Sequence, residues 1–139
     1  NCLISNKNRM KSRKITTHIQ VASVLCALYV ILGAFGAHGL ENILSPDQQA
    51  TYETGLRYLI IHAIGLFIVQ IIYYIKESYN PYPSRFFYLG MLLFSASLIV
   101  HALKDVIGIE VNVFARLAPI GGLSYIAGWL IFAYTLTRK

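Results

Sequence analysis

Charge is what this chain has least of. Its 139 residues include only 12 Lys and Arg and 6 Asp and Glu, 13% in all, about half the charged share of a typical soluble domain. So few charges cannot cover a soluble fold that also hides four long apolar runs. The composition therefore excludes a soluble domain and points to a single membrane domain. Cysteine is nearly missing too. Cys2 and Cys26 are too few for a disulfide framework, and Cys26 lies mid-run as a small packing residue. Catalytic signatures are missing as well: no phosphate-cradling glycine loop, no GxSxG and no HExxH. Paired carboxylates fail because Glu53 is the only acid near a span. These absences predict a protein that is not an enzyme and holds no cofactor.

The net charge of +6 does not imply nucleic acid, because of where it sits. Nine of the 12 basic residues lie at chain ends or in one loop: Lys7, Arg9, Lys11, Arg13, Lys14, Lys76, Arg85, Arg138 and Lys139. Charges flanking apolar spans set orientation. Lys104 and Arg116 fall on the other side, with Arg57 at the boundary and the acids Glu41, Asp47, Asp105 and Glu110 beside them. The count predicts both termini in the cytoplasm, where basic residues meet anionic headgroups. MKSRK from Met10 opens like a natural start, and the nine residues ahead of it read as an alternative start or added sequence. The apolar run after Lys14 is too long for a signal-peptide core and reads as a retained first span.

Residues 1–14 form a basic cytoplasmic segment, and 15–139 carry four helices at about 15–38, 46–78, 85–103 and 116–137. The first ends in a run of small residues containing Gly33, Gly36 and Ala37; Gly33 and Ala37 form a small-xxx-small pair that lets another backbone come close. Ser45-Pro46-Asp47-Gln48 reads as a helix start, with serine as N-cap, proline in the first turn, and Gln48 closing a capping box. KESYNPYPS ends helix two, since Pro81 and Pro83 forbid continuation. Tyr73, Tyr74, Tyr79, Tyr82 and Tyr88 around it form an interfacial belt. In helix three Gly90, Phe94, Ser97 and His101 fall on one stripe. Residues 104–115 form a mixed loop that dips toward the interface. Helix four places Pro119 in its first turn, where proline is tolerated, and offers Gly121, Gly122, Ser124 and Gly128 for packing.

The polar groups near the spans are His38, Glu53, Arg57, His62, His101 and Arg116. Ionisable groups there are costly unless paired or hydrated, which makes them candidates for function. Glu53 precedes Arg57 by four residues, the favourable order for a helical ion pair. His62 lies about 180° around the helix from Glu53 at 100° per residue and reads as a buried, hydrogen-bonded histidine. Gln70, deeper still, suits one interhelical hydrogen bond. Three histidines on three helices, without H-x3-H or cysteine-rich spacing, predict no metal site.

The segments GAFGAHGL, TYETGLRYLIIHAIGL and LAPIGGLSYIAGW occur in that order across nearly the whole chain. They resemble the YgdD-like family of small membrane proteins, a domain family of unknown function. Members more often carry glutamine or an aromatic residue where this chain has Leu59 to Ile61. The resemblance implies a four-helix fold in a bacterial inner membrane and implies no activity. The expectation is an all-α, four-span bundle in the lipid bilayer, a structural or accessory protein that joins itself or a larger membrane complex. The alternatives are a small-solute or proton-linked transporter acting as an oligomer, and a lipid- or quinone-binding protein using the tyrosine belt.

Overall fold

The computed structural model describes the backbone of residues 2–108 and 112–137, and their side chains apart from those of 2–5, 7–8 and 112–115. Helix α1 (Cys2–Ala34) runs on into a π-helical turn, Phe35–Gly39. Helix α2 spans Pro46–Ile75. The third rod is composite: α3 (Tyr82–Gly90), a second π turn (Met91–Ala96) and α4 (Ser97–Ala102). A single turn, α5 (Lys104–Ile107), precedes α6 (Asn112–Thr137). Among the described residues no strand occurs. Four stretches are long and apolar enough to cross a membrane: Arg9–Gly39, Pro46–Ile75, Tyr82–Ala102 and Arg116–Thr137. The shortest, of 21 residues, measures about 32 Å at ~1.5 Å per residue, enough for a hydrocarbon core of about 30 Å.

Local chemistry sets the ends. Ser45 N–H donates to Gln48 Oε1 at 2.9 Å, and Gln48 N–H donates to Ser45 Oγ at 3.3 Å, the reciprocal capping box. Helix α2 stops at Ile75, short of residue 78, because Glu77 turns into the left-handed region with φ 49°. Ser78 N–H then reaches Tyr73 O at 3.1 Å and Glu77 N–H reaches Tyr74 O at 3.2 Å, a Schellman closure with glutamate where glycine is usual. Asn80 Oδ1 accepts from Tyr82 N–H at 3.0 Å. The third rod therefore starts at Tyr82 rather than 85, with Pro83 inside its first turn.

Two boundaries differ further from the hydropathy pattern. Helix α1 runs back through the basic segment to Cys2. Helix α6 starts at Asn112, so Pro119 lies in its interior and not in its first turn, costing it one internal hydrogen bond. The expected interfacial dip of the loop falls partly on residues 109–111, which lie outside the described residues, as do the side chains of Cys2, Lys7, Glu110, Arg138 and Lys139.

Helix α2 is the axle. It packs against α1 on one side and against α3, the second π turn and α4 on another, while α6 closes on the third rod. Within the most apolar stretch of α2, 44% of residues are buried, against 11% in the first span. The exposed surface is apolar, with Val24, Ile31, Leu92, Leu123 and Leu130 turned outward, as lipid requires. Polar groups are inside: Gln70 Nε2 donates to Ser84 Oγ at 2.9 Å, joining α2 to α3.

Glycines set the closest approaches. A Cβ on Gly121 would strike the backbone of Leu93 and Phe94 in the second π turn, and one on Gly90 the ring of Tyr125. Gly128 faces Phe87 at 2.6 Å by the same measure, and Gly36 faces the Tyr52 ring at 2.6 Å. Gly122 has only ordinary contact with Phe94 at 3.7 Å. Ser97 is buried and donates to the carbonyls of Leu93 and Phe94 at 2.6 and 2.9 Å.

Each π turn is paired with a tyrosine seated over a glycine. Tyr52 lies on Gly36 of the first π turn and donates its hydroxyl to Leu32 O at 2.7 Å. Tyr125 lies on Gly90 and its hydroxyl meets Ser95 Oγ of the second π turn at 2.8 Å. Such wide turns recur at functional positions in helices.

Candidate functional site

The structure distributes the polar groups among separate places. His38 and Arg116 are exposed on different elements. His101 faces the start of α2 across a cleft of about 380 Å³ that also takes in Asp47, Gln48 and Asp105. There Gln48 Nε2 donates to Asp105 Oδ2 at 2.6 Å, while His101 Nδ1 is buried without a partner. Three ligands do not converge, and among the described residues no His, Cys, Asp and Glu group suits a metal ion.

His62 is buried inside a ring of aromatics. Its Nδ1 lies 2.7 Å from Tyr58 O, so that nitrogen carries the hydrogen and the carbonyl accepts. The imidazole stacks on Tyr125 with centroids 3.5 Å apart, and Phe87 meets it edge-on at 5.3 Å. Four aromatic side chains, those of Tyr58, Phe87, Tyr125 and Trp129, surround it. Those contacts hold it between α2, α3 and α6.

Glu53 and Arg57 do meet other expected residues, though not each other. The Glu53 carboxylate accepts from Gln49 Nε2 at 3.0 Å, and among the described residues no acid and base come within ion-pair distance. Both side chains are exposed along a groove of about 340 Å³ between the first span and α2. Gly33, Gly36 and Ala37 form its other wall. Gly36 is closed off by Tyr52, but a Cβ on Gly33 would meet nothing within 4 Å. Gln49 Oε1, on the α2 side, is buried with no partner. The groove thus offers a small-residue wall, an acid, a base and an unused acceptor. That chemistry suits polar contact with another helix more than bond making or breaking.

One cluster lies outside the expected set. His18 of α1 touches Tyr88 Oη through Nδ1 at 2.7 Å and Tyr79 Oη through Nε2 at 3.1 Å. The tyrosines read as a membrane belt, so a histidine one turn inside them draws no notice. The signal is its spacing of four from Lys14, which puts the two on neighbouring positions of one helix face.

Comparison with known proteins decides the family. The model for "Protein of unknown function (DUF423)" matches residues 32–122, a stretch that holds the capping box, both π turns, His62 with Tyr58 and Phe87, and every groove residue but Tyr29. The chain belongs to the DUF423 family. Among DUF423 relatives, UPF0382 membrane protein SH2409 of Staphylococcus haemolyticus is 34% identical over 112 residues, 80% of this chain and 88% of its own. UPF0382 inner membrane protein YgdD of Escherichia coli K12 is 34% identical over 122 residues, 85% and 89% of the two chains. A Haemophilus influenzae UPF0382 membrane protein is 32% identical over 125 residues, 90% and 94%. No solved structure matches. The resemblance to YgdD-like proteins is thereby confirmed, and the multi-pass inner-membrane localisation agrees with these names and with four membrane-length helices. This DUF423 chain is an integral membrane protein of unknown biochemical activity. Its relatives' names carry no activity, and they lend no support to the transporter or quinone readings.

Proposed function

We propose that the protein is a non-catalytic structural or accessory bundle of the bacterial cytoplasmic membrane that pairs with a second copy of itself along the groove between its first span and α2. One observation carries this reading: Gly33 and Ala37 wall a groove that the chain's own helices leave open. In lipid, small residues at a helix surface let a second backbone approach and gain packing. The first span, only 11% buried over its apolar window, has surface to spare for it. Glu53 and Arg57 make the patch self-complementary, because a two-fold contact brings the acid of each copy to the base of the other.

Labelled copies in liposomes test it by energy transfer. A Cβ at Gly33 meets nothing within 4 Å, so Gly33→Leu should abolish transfer and leave thermal unfolding unchanged. Undiminished transfer overturns the groove as the contact. Recovery of a different chain in fixed ratio, without self-pairing, favours a larger complex instead.

The basic end, with both termini, faces the cytoplasm in this proposal, by the asymmetry of nine basic residues against two or three. Ile43→Cys, in the exposed turn before α2, should react with an impermeant reagent on intact cells; protection reverses the orientation.

A further inference from the structure

The basic end of the bundle holds a cavity of about 530 Å³ that none of the expected site residues lines. Its size lies within the range of about 300–1,000 Å³ usual for small-ligand pockets. One wall is a single face of α1, at positions 10, 13, 14, 17 and 18, the three-and-four spacing of neighbours on a helix. The other wall is the turn between α2 and α3, with Tyr79, and the first turn of α3, with Arg85.

Three positive side chains, Arg13, Lys14 and Arg85, border the space, and among the described residues no carboxylate does. Glu77 belongs to a neighbouring cavity with Lys11. Aromatic rings take the place of acids here. Lys14 Nζ is 5.7 Å from the Tyr79 ring centroid and the Arg85 guanidinium 5.8 Å from that of Tyr82. Cation–π contacts hold such cations in place and leave their charge uncancelled.

Behind them His18 joins Tyr79 and Tyr88. A neutral imidazole has one donor and one acceptor. The shorter contact, to Tyr88 Oη at 2.7 Å, suits a hydroxyl donating to Nδ1. Nε2–H then donates to Tyr79 Oη at 3.1 Å, and the hydroxyl hydrogen of Tyr79 is left for the cavity that residue lines. Burial pushes the Tyr79 phenol above its usual range while Arg85 draws it back, so it remains a neutral donor near pH 7. The first span, at 31 residues, measures about 46 Å against a hydrocarbon core of about 30 Å. Its basic end therefore reaches the headgroup layer, and the cavity with it.

We propose that this cavity is a phosphate-recognition site that seats the phosphodiester of an anionic phospholipid, held by Arg13, Lys14 and Arg85 with a hydroxyl hydrogen bond from Tyr79. Guanidinium forks match phosphate oxygens in geometry and charge. The site lies at the opposite end of the span from the contact between copies and does not depend on it.

Native mass spectrometry of the full chain, released from vesicles of equal phosphatidylcholine and phosphatidylglycerol, tests it. The wild-type chain should retain phosphatidylglycerol over phosphatidylcholine. Arg13→Gln and Arg85→Gln, both at exposed positions, should each lower that ratio about tenfold, as loss of one charge-assisted bond does. Tyr79→Phe keeps every charge and the ring, and should lower it about fivefold. Lys11→Gln removes the same charge at the same end but outside the cavity, and should change the ratio by less than about twofold. An equal loss from Lys11→Gln, or no lipid preference at all, overturns the site. Inorganic phosphate is the second probe, added to the chain in phosphatidylcholine alone for the resonance and, separately, to the mixed vesicles for displacement. If it broadens its phosphorus resonance in an Arg85-dependent way and displaces phosphatidylglycerol, the ligand is a soluble anion and the lipid assignment falls.

Discussion

The imidazole of His62 lies flat on the ring of Tyr125, centroids 3.5 Å apart and planes at 15°. That pair ties α2 to α6, and Tyr125 in turn reaches the third rod through Ser95. The two roles of Tyr125 separate by substitution. Tyr125→Phe keeps the stack and strands Ser95 Oγ, at a cost of about 1 kcal/mol. Tyr125→Ala removes the ring over Gly90 as well and should cost about 3–5 kcal/mol. Unfolding free energies in mixed micelles measure both.

Two adjacent glycines make a sharper comparison. Gly121 abuts the backbone of the second π turn, which cannot swing aside as a side chain does, whereas Gly122 has only van der Waals contact with a Phe94 ring. Gly121→Ala should destabilise the bundle by about 1–3 kcal/mol through overpacking. Gly122→Ala should be neutral, or stabilising by up to about 1 kcal/mol from better helix propensity. Melting of the two variants side by side checks this.

Glu77 is a non-glycine residue in left-handed backbone, at φ 49°. Glu77→Gly relieves a conformational cost of about 1–2 kcal/mol, partly offset by the greater freedom glycine has when unfolded. A net gain of about 1 kcal/mol in unfolding free energy is expected, with the Schellman closure unchanged.

Gln48 serves two partners, the Ser45 N–H of its own cap and the Asp105 carboxylate across the loops. Gln48→Ala should therefore exceed the usual capping loss of about 1 kcal/mol, and Asp105→Asn should cost less than Gln48→Ala. Amide exchange at residues 46–49 should quicken in the first variant and hold in the second.

The four spans, the Ser45 start, the burial of His62 and the Gln70 bridge were legible in the sequence because each follows from hydropathy, cap chemistry or the cost of a lone polar group. The rest required three dimensions. The Glu53–Arg57 spacing predicts an ion pair, but Gln49, one turn earlier, takes the carboxylate instead. Gly33 and Gly36 both read as packing residues, yet of the two Gly36 alone is covered inside the chain. Pro119 lies inside a helix because α6 starts four residues before the charge pattern suggests. His18 shows its role only when the turn after α2 brings Tyr79 back to it. Neither π turn leaves a trace in a pattern read with a constant 3.6-residue period.

The second π turn has a further consequence. A residue accommodated there advances the helix phase by about 100°, so the third rod has two independently clocked halves. The lower half is indexed to Tyr125 through Gly90, the upper to Gly55 through Ile99. Deleting one residue between Met91 and Ala96 would restore an uninterrupted α-helix and leave it unable to fit both neighbours at once.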